Sequence, residues 1–303
     1  MPRLTPACVL CFGIVVADRI YEVECLPHGE GKHTAHAYRE SGGGIAGTAA
    51  VAVAALGAQA LFCGAVGEDQ AGQFLQAELA ALGVDLGGMQ VTPDARTPSA
   101  SVVVDAQGER CLVVDRGTVS PRTPDQAFIA QAGAVLVDHR FPDAAAALLQ
   151  ALPPQVPGVL DAEGEDAADL RRLAALATYP VFSRNGLRIA VGVADPADGL
   201  RAVHAPRAAA IGVTLGSAGS LWRVGGGFHH VTAPRVRVRD TTGCGDVFHG
   251  AFALALAEGV PPLRAVRFAS AAAALKARQG NGWRGMADRA EADTLMRVTG
   301  ADG

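Results

Sequence analysis

Between Val231 and Gly259 the chain changes period through a turn of unusual chemistry. Val231 to Arg239 sets Val236 and Val238 against Arg235, Arg237 and Arg239, the alternation of a strand. Val247, Phe248, Ala251, Phe252, Leu254, Ala255 and Leu256 then make an apolar helix, closed by Gly259 and Pro261-Pro262. The turn between them reads Asp240-Thr241-Thr242-Gly243-Cys244-Gly245-Asp246. Its glycines let backbone N–H groups face a small cavity with no Cβ in the way, and the new helix adds the positive end of its dipole. A terminal phosphate would be held there. Asp246, in the first helical turn, is placed to accept a proton from an attacking hydroxyl, so anion site and base belong to one element. A bare Gly-x-Gly is more often a helix cap; the strand before it and the apolar helix after it give this one its meaning.

Composition limits what else the chain can do. A net charge of −4 over 303 residues gives no general attraction for nucleic acid or an anionic membrane, so any anion site must be local. Half the residues are hydrophobic, enough for one large α/β core carrying an insertion or lid. The six cysteines, Cys8, Cys11, Cys25, Cys63, Cys111 and Cys244, lie mostly within apolar runs, as suits a reducing cytoplasm. Cys8-x-x-Cys11 has no second pair for a metal, and residues three apart on a strand face opposite sides, so both read as core thiols. Ala7 to Ala17 reads as a buried first strand rather than a signal-peptide core. Val51 to Val66, broken by Gly57, Gln59 and Gly64, is too short to span a bilayer.

Along the chain, strand-like Val9 to Val16 precedes helical Ala49 to Leu56, strand-like Ala60 to Val66 and a helix from Gln70 to Leu82. From Ala134 onward, strand-like Ala134 to Val137, Gly158 to Leu160, Val181 to Ser183 and Ala209 to Thr214 alternate with alanine-rich helices. This predicts a doubly wound, mostly parallel α/β sheet flanked by helices, with ligands beyond the carboxyl ends of its strands. Arg19 to Glu24, Thr34 to Glu40, and a hairpin of Ala100 to Asp105 with Arg110 to Asp115 have mixed polarity and predict a separate small β-sheet.

The turn at Asp240 to Asp246 resembles the second signature of the PfkB family of carbohydrate kinases, Asp-Thr-x-Gly-Ala-Gly-Asp, with Cys244 in place of alanine. Gly42-Gly43-Gly44 entering a helix that ends at Leu56-Gly57 is similar to the first signature. Thr214-Leu215-Gly216-Ser217-Ala218-Gly219 resembles the family's loop at the ATP phosphates and ribose. The likeness covers essentially the whole chain. It implies a ribokinase-like single domain over residues 1–303, with a lid from about 18–40 and 97–117 that covers the sugar and pairs two subunits as a homodimer. It further implies Asp246 as catalytic base, the amides of Gly243, Cys244 and Gly245 as anion hole, and Thr214, Gly216 and Gly219 at ATP. Asp18, Gly43, Gly44 and Thr48 fall on the sugar side; Thr48 replaces the asparagine of ribokinases.

Cys11-Phe12-Gly13-Ile14, Asp18-Arg19-Ile20-Tyr21, Leu26-Pro27, Gly31-Lys32 and Asp246-Val247-Phe248-His249-Gly250 look like the sulfofructose kinase subgroup. That implies Lys32 and Arg140 as partners for a sulfonate, with Val114 or Asp115 where the subgroup carries a lid asparagine. The family's Asn-x-x-Glu element is degenerate, since Ser183-Arg184-Asn185-Gly186 offers no glutamate. Mg²⁺ accompanies ATP, and the carbonyls near Asp240 and Thr242 are carried over as a candidate K⁺ site. Cys244 would be acidified at the helix N-terminus and open to oxidation, although its small size explains it better; His249, three residues after Asp246, is expected to pack rather than catalyse. The expected function is an ATP-dependent transfer to a primary hydroxyl of a ketose, with an anionic sugar such as sulfofructose in view. Fructose-, ribose- or nucleoside-directed kinases are the rivals within the family, and a non-catalytic sugar sensor is the rival outside it. A dinucleotide enzyme would need Gly-x-Gly-x-x-Gly after the first strand, which Gly13 to Asp18 do not supply.

Overall fold

A computed structural model describes residues 7–300. Its largest sheet has eight strands. From edge to edge they are Gly227–Val231, Ser220–Val224, Ala210–Thr214, Tyr179–Ser183, Gly158–Ala162, Ala134–Asp138, Cys8–Phe12 and Gln59–Cys63. The six from Ala210–Thr214 onward are mutually parallel; the first two close the edge as an antiparallel hairpin. Every residue of Cys8–Phe12, Ala134–Asp138 and Gly158–Ala162 is buried, because helices cover both faces of the sheet. The two faces feed separate apolar clusters. Val9 and Cys11 enter one and Cys8, Leu10 and Phe12 the other, so the two cysteines of the Cys-x-x-Cys spacing do point apart.

Helix Cys244–Ala257 runs through the first cluster with Val247 to Leu256 all buried. It lies between the sheet and the helices Ile45–Ala55 and Pro262–Gln279. Two contacts fix its height. A Cβ on Gly250 would come within 2.6 Å of the Ala49 carbonyl, so glycine lets the two backbones cross closely. On its other side Phe252 packs at a tilt against the fully buried Trp222, with ring centroids 5.0 Å apart.

The second sheet is the lid, ordered Ala37–Gly43, Val16–Glu22, Ser99–Val104 and Arg110–Asp115. Its strand Arg110–Asp115 is exposed along its length, including Leu112, Val113 and Val114. The pairing register puts Asp18, Ile20, Arg39, Ser41, Val102, Arg110 and Val114 on one face of the lid. Asp115 therefore points the other way, where Arg96 binds it through two hydrogen bonds of 3.1 and 3.3 Å. Of the two, Val114 shares the Asp18 face of the lid.

Three expectations need correction. Val231 to Arg239 is not a strand: pairing stops at Val231, and residues 232–239 run without a ladder. The alternation comes instead from an extended segment whose Val236 and Val238 line a cleft. Ala60 to Val66 is two strands, Gln59–Cys63 and Ala65–Gly67. Val9 to Val16 likewise ends at Phe12, and Val16 already begins the lid. Among the described residues no helix is long and apolar enough to cross a membrane.

Candidate active site

Gly243 sits at φ 75°, a left-handed conformation that suits glycine, and ends the turn so that Cys244 begins the helix. The Asp240 carboxylate shapes the turn from below, accepting from the Thr242 amide at 2.9 Å and the Thr242 hydroxyl at 2.7 Å. Space where a Cβ on Gly245 would stand is open, leaving its backbone accessible. A Cβ on Gly243 would lie 3.2 Å from Thr48 Cγ2. The two glycine turns of the sequence, far apart in the chain, thus begin neighbouring helices side by side.

Asp246 stands in the first turn of its helix, partly exposed. Its carboxyl is held well above the ordinary range, first by burial and then by the carboxylates of Asp161, Glu163 and Asp138, with His249 opposing them. Asp138 and Asp161 end or nearly end neighbouring parallel strands and are buried. Burial pushes Asp138 up to about 6, although the Ile14 amide at 2.7 Å and the Arg140 amide at 2.9 Å both donate to it. His249 is the counterion of this group. Its Nδ1 lies 2.8 Å from Asp161 Oδ2 and 2.7 Å from the Gly245 carbonyl. Burial alone would lower its pKa, but the Asp161 carboxylate raises it to about 9, so the ring is an imidazolium at neutral pH. His249 therefore does more than pack.

The sequence missed Asp138, Asp161 and Glu163 because nothing local marks them. Their signal is positional: acidic residues at the carboxyl ends of apolar strands in a parallel sheet. The missing glutamate of Ser183-Arg184-Asn185-Gly186 has a steric reason. Ser183 caps helix Arg184–Val191 by accepting from the Gly186 amide at 3.0 Å, and a Cβ at 186 would run into the Ala162 carbonyl. Glu163, the next residue after Ala162, is exposed and has no hydrogen-bond or ion-pair partner among the described residues.

A cleft of about 610 Å³ opens on the other side of the turn. Thr214, Gly216 and Gly219 line one wall, Thr241, Cys244 and Gly245 its end, and Val236, Val238 and Phe248 its apolar sides. The alanines 273, 274 and 277 of helix Pro262–Gln279 complete it; their small side chains leave room for a flat ring. Cys244 stands at this end of the cleft. Burial raises its thiol to about 11 and outweighs the opposing charge of Lys276, so it is not an activated thiolate.

On the sugar side, the Asp18 carboxylate fills the space where a Cβ on Gly43 would be, so glycine there admits the acid. Gly44 caps the following helix at φ 86°. Burial lifts Asp18 to about 6 against the pull of Arg39 on the same lid face. Thr48 is buried and its hydroxyl accepts from Trp283 Nε1 at 2.9 Å, which fixes its orientation and leaves its own O–H as a donor. Arg140 is exposed beside Asp138, within electrostatic range of Glu163. Lys32 is exposed in the lid segment 23–36 and makes no hydrogen bond or ion pair among the described residues, so the structure does not bring it to Asp18. One lid residue closes on the cradle: Arg110 donates to Asp240 at 2.7 Å and also to the Thr242 hydroxyl.

The profile for pfkB family carbohydrate kinase matches residues 7–286. An ATP-dependent ribose-1-phosphate kinase from Halopiger xanaduensis is 30% identical over 276 residues, which span 90% of this chain and 93% of that one. A crystal structure of a ribokinase candidate from Agrobacterium tumefaciens superposes with a TM-score of 0.91 at 36% identity, over 98% of this chain and 99% of the other. Arabidopsis thaliana ribokinase, complexed with ribose and ATP, gives 0.86 at 26% identity over 97% and 99%.

Proposed function

Because the chain belongs to the pfkB family of carbohydrate kinases and is a phosphotransferase of that family, we propose that it transfers the γ-phosphoryl group of ATP to a primary hydroxyl of a ketose. What carries the reading is the position of Asp246: it shares one helical turn with Gly245, whose backbone is accessible at the end of the 610 Å³ cleft. ATP lies along Thr214, Gly216 and Gly219 with its terminal phosphate toward Gly243, Cys244 and Gly245. Those amides stabilise charge on the moving phosphoryl group while Asp246 takes the proton of the attacking hydroxyl. Asp18, with Gly43 and Gly44, orients the sugar beneath the lid. Lid closure excludes water and suppresses hydrolysis of ATP.

Mg²⁺ suits the oxygen donors present. The unpartnered carboxylate of Glu163, with Asp161 behind it, would hold the ion together with nucleotide phosphates, in the manner of a metal that keeps most of its waters. When bound it neutralises charge on the β and γ oxygens. No dedicated cage of three or more metal-ligating side chains exists among the described residues.

An anionic sugar is the more specific form of this reading. Arg140 is exposed at the mouth of the site with no ion pair among the described residues, and Arg39 faces Asp18 from the lid. Either guanidinium can take a sulfonate or phosphate through two donors. The relative that acts on ribose-1-phosphate, itself an anionic sugar, supports it. The test is ATP consumption over a panel of neutral and anionic sugars, including fructose, ribose, a nucleoside and sulfofructose. Turnover fastest with an anionic ketose is expected. Fastest turnover with a neutral sugar removes the anion reading, and sugar binding without ATP consumption would make the protein a sensor.

A further inference from the structure

Lys276 has no part in the steps above, yet it is buried beside the phosphate cradle. It lies in the last turn of helix Pro262–Gln279 and is 1% exposed. Its Nζ donates to the Gly280 carbonyl at 3.3 Å, its one hydrogen bond among the described residues, although an ammonium carries three donors. Two loops meet at this point. The amides of Arg239 and Asp240 both donate to the Ala277 carbonyl, at 2.8 and 3.2 Å, and a Cβ on Gly280 would stand 3.4 Å from Asp240 Cβ. Burial depresses the lysine's pKa and Arg39 adds to that, while the carboxylates of Asp240 and Asp246 work in the opposite direction to keep the ammonium.

The K⁺ carried over by resemblance does not fit these residues. The turn that would offer carbonyl oxygens near Asp240 and Thr242 already has a fixed cation within electrostatic range on its buried side. Its carboxylate is held by Thr242 and by Arg110, a second cation. A further monovalent ion would be repelled by both charges, more strongly by the buried ammonium than by the half-exposed guanidinium.

We propose that Lys276 is this kinase's built-in monovalent cation. Its ammonium, fixed between the turn 240–245 and the loop 280–285, holds the phosphate-facing amides in place, so that turnover needs no added K⁺. The inference rests on the kinase reading and is tested so that the two can fail separately. Initial rates and melting temperature of the wild-type protein are measured in potassium, sodium and choline chloride at equal ionic strength, and then for Lys276→Met, which keeps the length of the stem.

Wild-type rates within about twofold across the three salts are expected, with no preferential rise in melting temperature in K⁺ as a bound ion would cause. Lys276→Met should lose about 10²–10³-fold in kcat in choline chloride, the size of effect seen when one preorganised donor is removed. Potassium or ammonium chloride should restore part of that loss and raise the variant's melting temperature. Potassium stimulation of the wild type overturns the inference. So does a folded variant that is fully active in choline, or one whose loss neither ion repairs. If the variant does not fold, the wild-type salt series decides by itself. A wild type that is inactive with every sugar in every salt overturns the kinase reading, and the melting series still decides whether K⁺ binds.

Discussion

The nucleotide end of the site is built from buried parts of the body, whereas the sugar end is built from lid strands that stand in solvent. Gly243 to Gly245 are set by a helix packed on all sides, with Phe252 against Trp222 and Gly250 against Ala49. Asp18 and Arg39 sit instead on a four-stranded sheet whose outer strand is exposed throughout. The two ends meet where helix Ile45–Ala55 packs on helix Cys244–Ala257 with Thr48 at Gly243, where Trp283 donates to Thr48, and where Arg110 reaches Asp240 and Thr242. Chemistry common to a family belongs where packing holds atoms still. Substrate choice belongs where side chains can change without disturbing a core, which is why the lid is also where the sequence is hardest to interpret.

The comparison breaks most visibly at Asp246. Asp246→Asn should lower kcat by about 10²–10⁴-fold for every sugar that reacts, with ADP affinity measured by calorimetry unchanged. A loss confined to one sugar would place substrate choice in the body and erase the distinction. His249→Asn should come next. The base must be deprotonated, and its neighbours hold its proton above the normal carboxylate range, so kcat/KM rises with pH through that higher pKa. His249, with a pKa of about 9, is positive below that value and favours the ionised base. Removing it lets the carboxylates keep their protons to higher pH. The expected result is a roughly tenfold lower kcat/KM near pH 6 with the alkaline plateau retained. A uniform loss at every pH would mean that His249 only fills space.

The smallest effect is expected at the lid. Arg110→Ala removes a half-exposed ion pair, for which about 1 kcal/mol is an upper expectation. Sugar KM should rise severalfold with kcat nearly constant, and excess ATP hydrolysis without sugar should increase as closure weakens. A large fall in kcat would show that the lid holds the cradle itself and is not separable from the body.

Much of the body was legible because its signals are local. Period-two and apolar runs gave the strands Ala134–Asp138, Gly158–Ala162 and Ala210–Thr214 to within two residues, and glycine closed the helix Gln70–Ala81. The hairpin of the lid was equally clear from its turn. The same rule misread Val231 to Arg239, where Val236 and Val238 alternate with arginines along a cleft edge and residues 232–239 have no strand partner. His249 was undervalued for a related reason: spacing along its own helix says nothing of Asp161 on a strand eighty-odd residues away.

The amino-acid order by itself determined the cradle and its base, because Gly243, Gly245 and Asp246 are neighbours in one turn and short-range geometry is a property of the local chain. It also determined the α/β alternation, through the periods at which apolar residues recur. Only the tertiary structure decided that Asp138, Asp161, Glu163 and His249 share one electrostatic group around Asp246. It alone excluded a side chain at Gly186 and buried Lys276 behind the turn. Those outcomes depend on which strand ends and loops come to lie together, and burial and charge are fixed by that proximity, which no local pattern encodes.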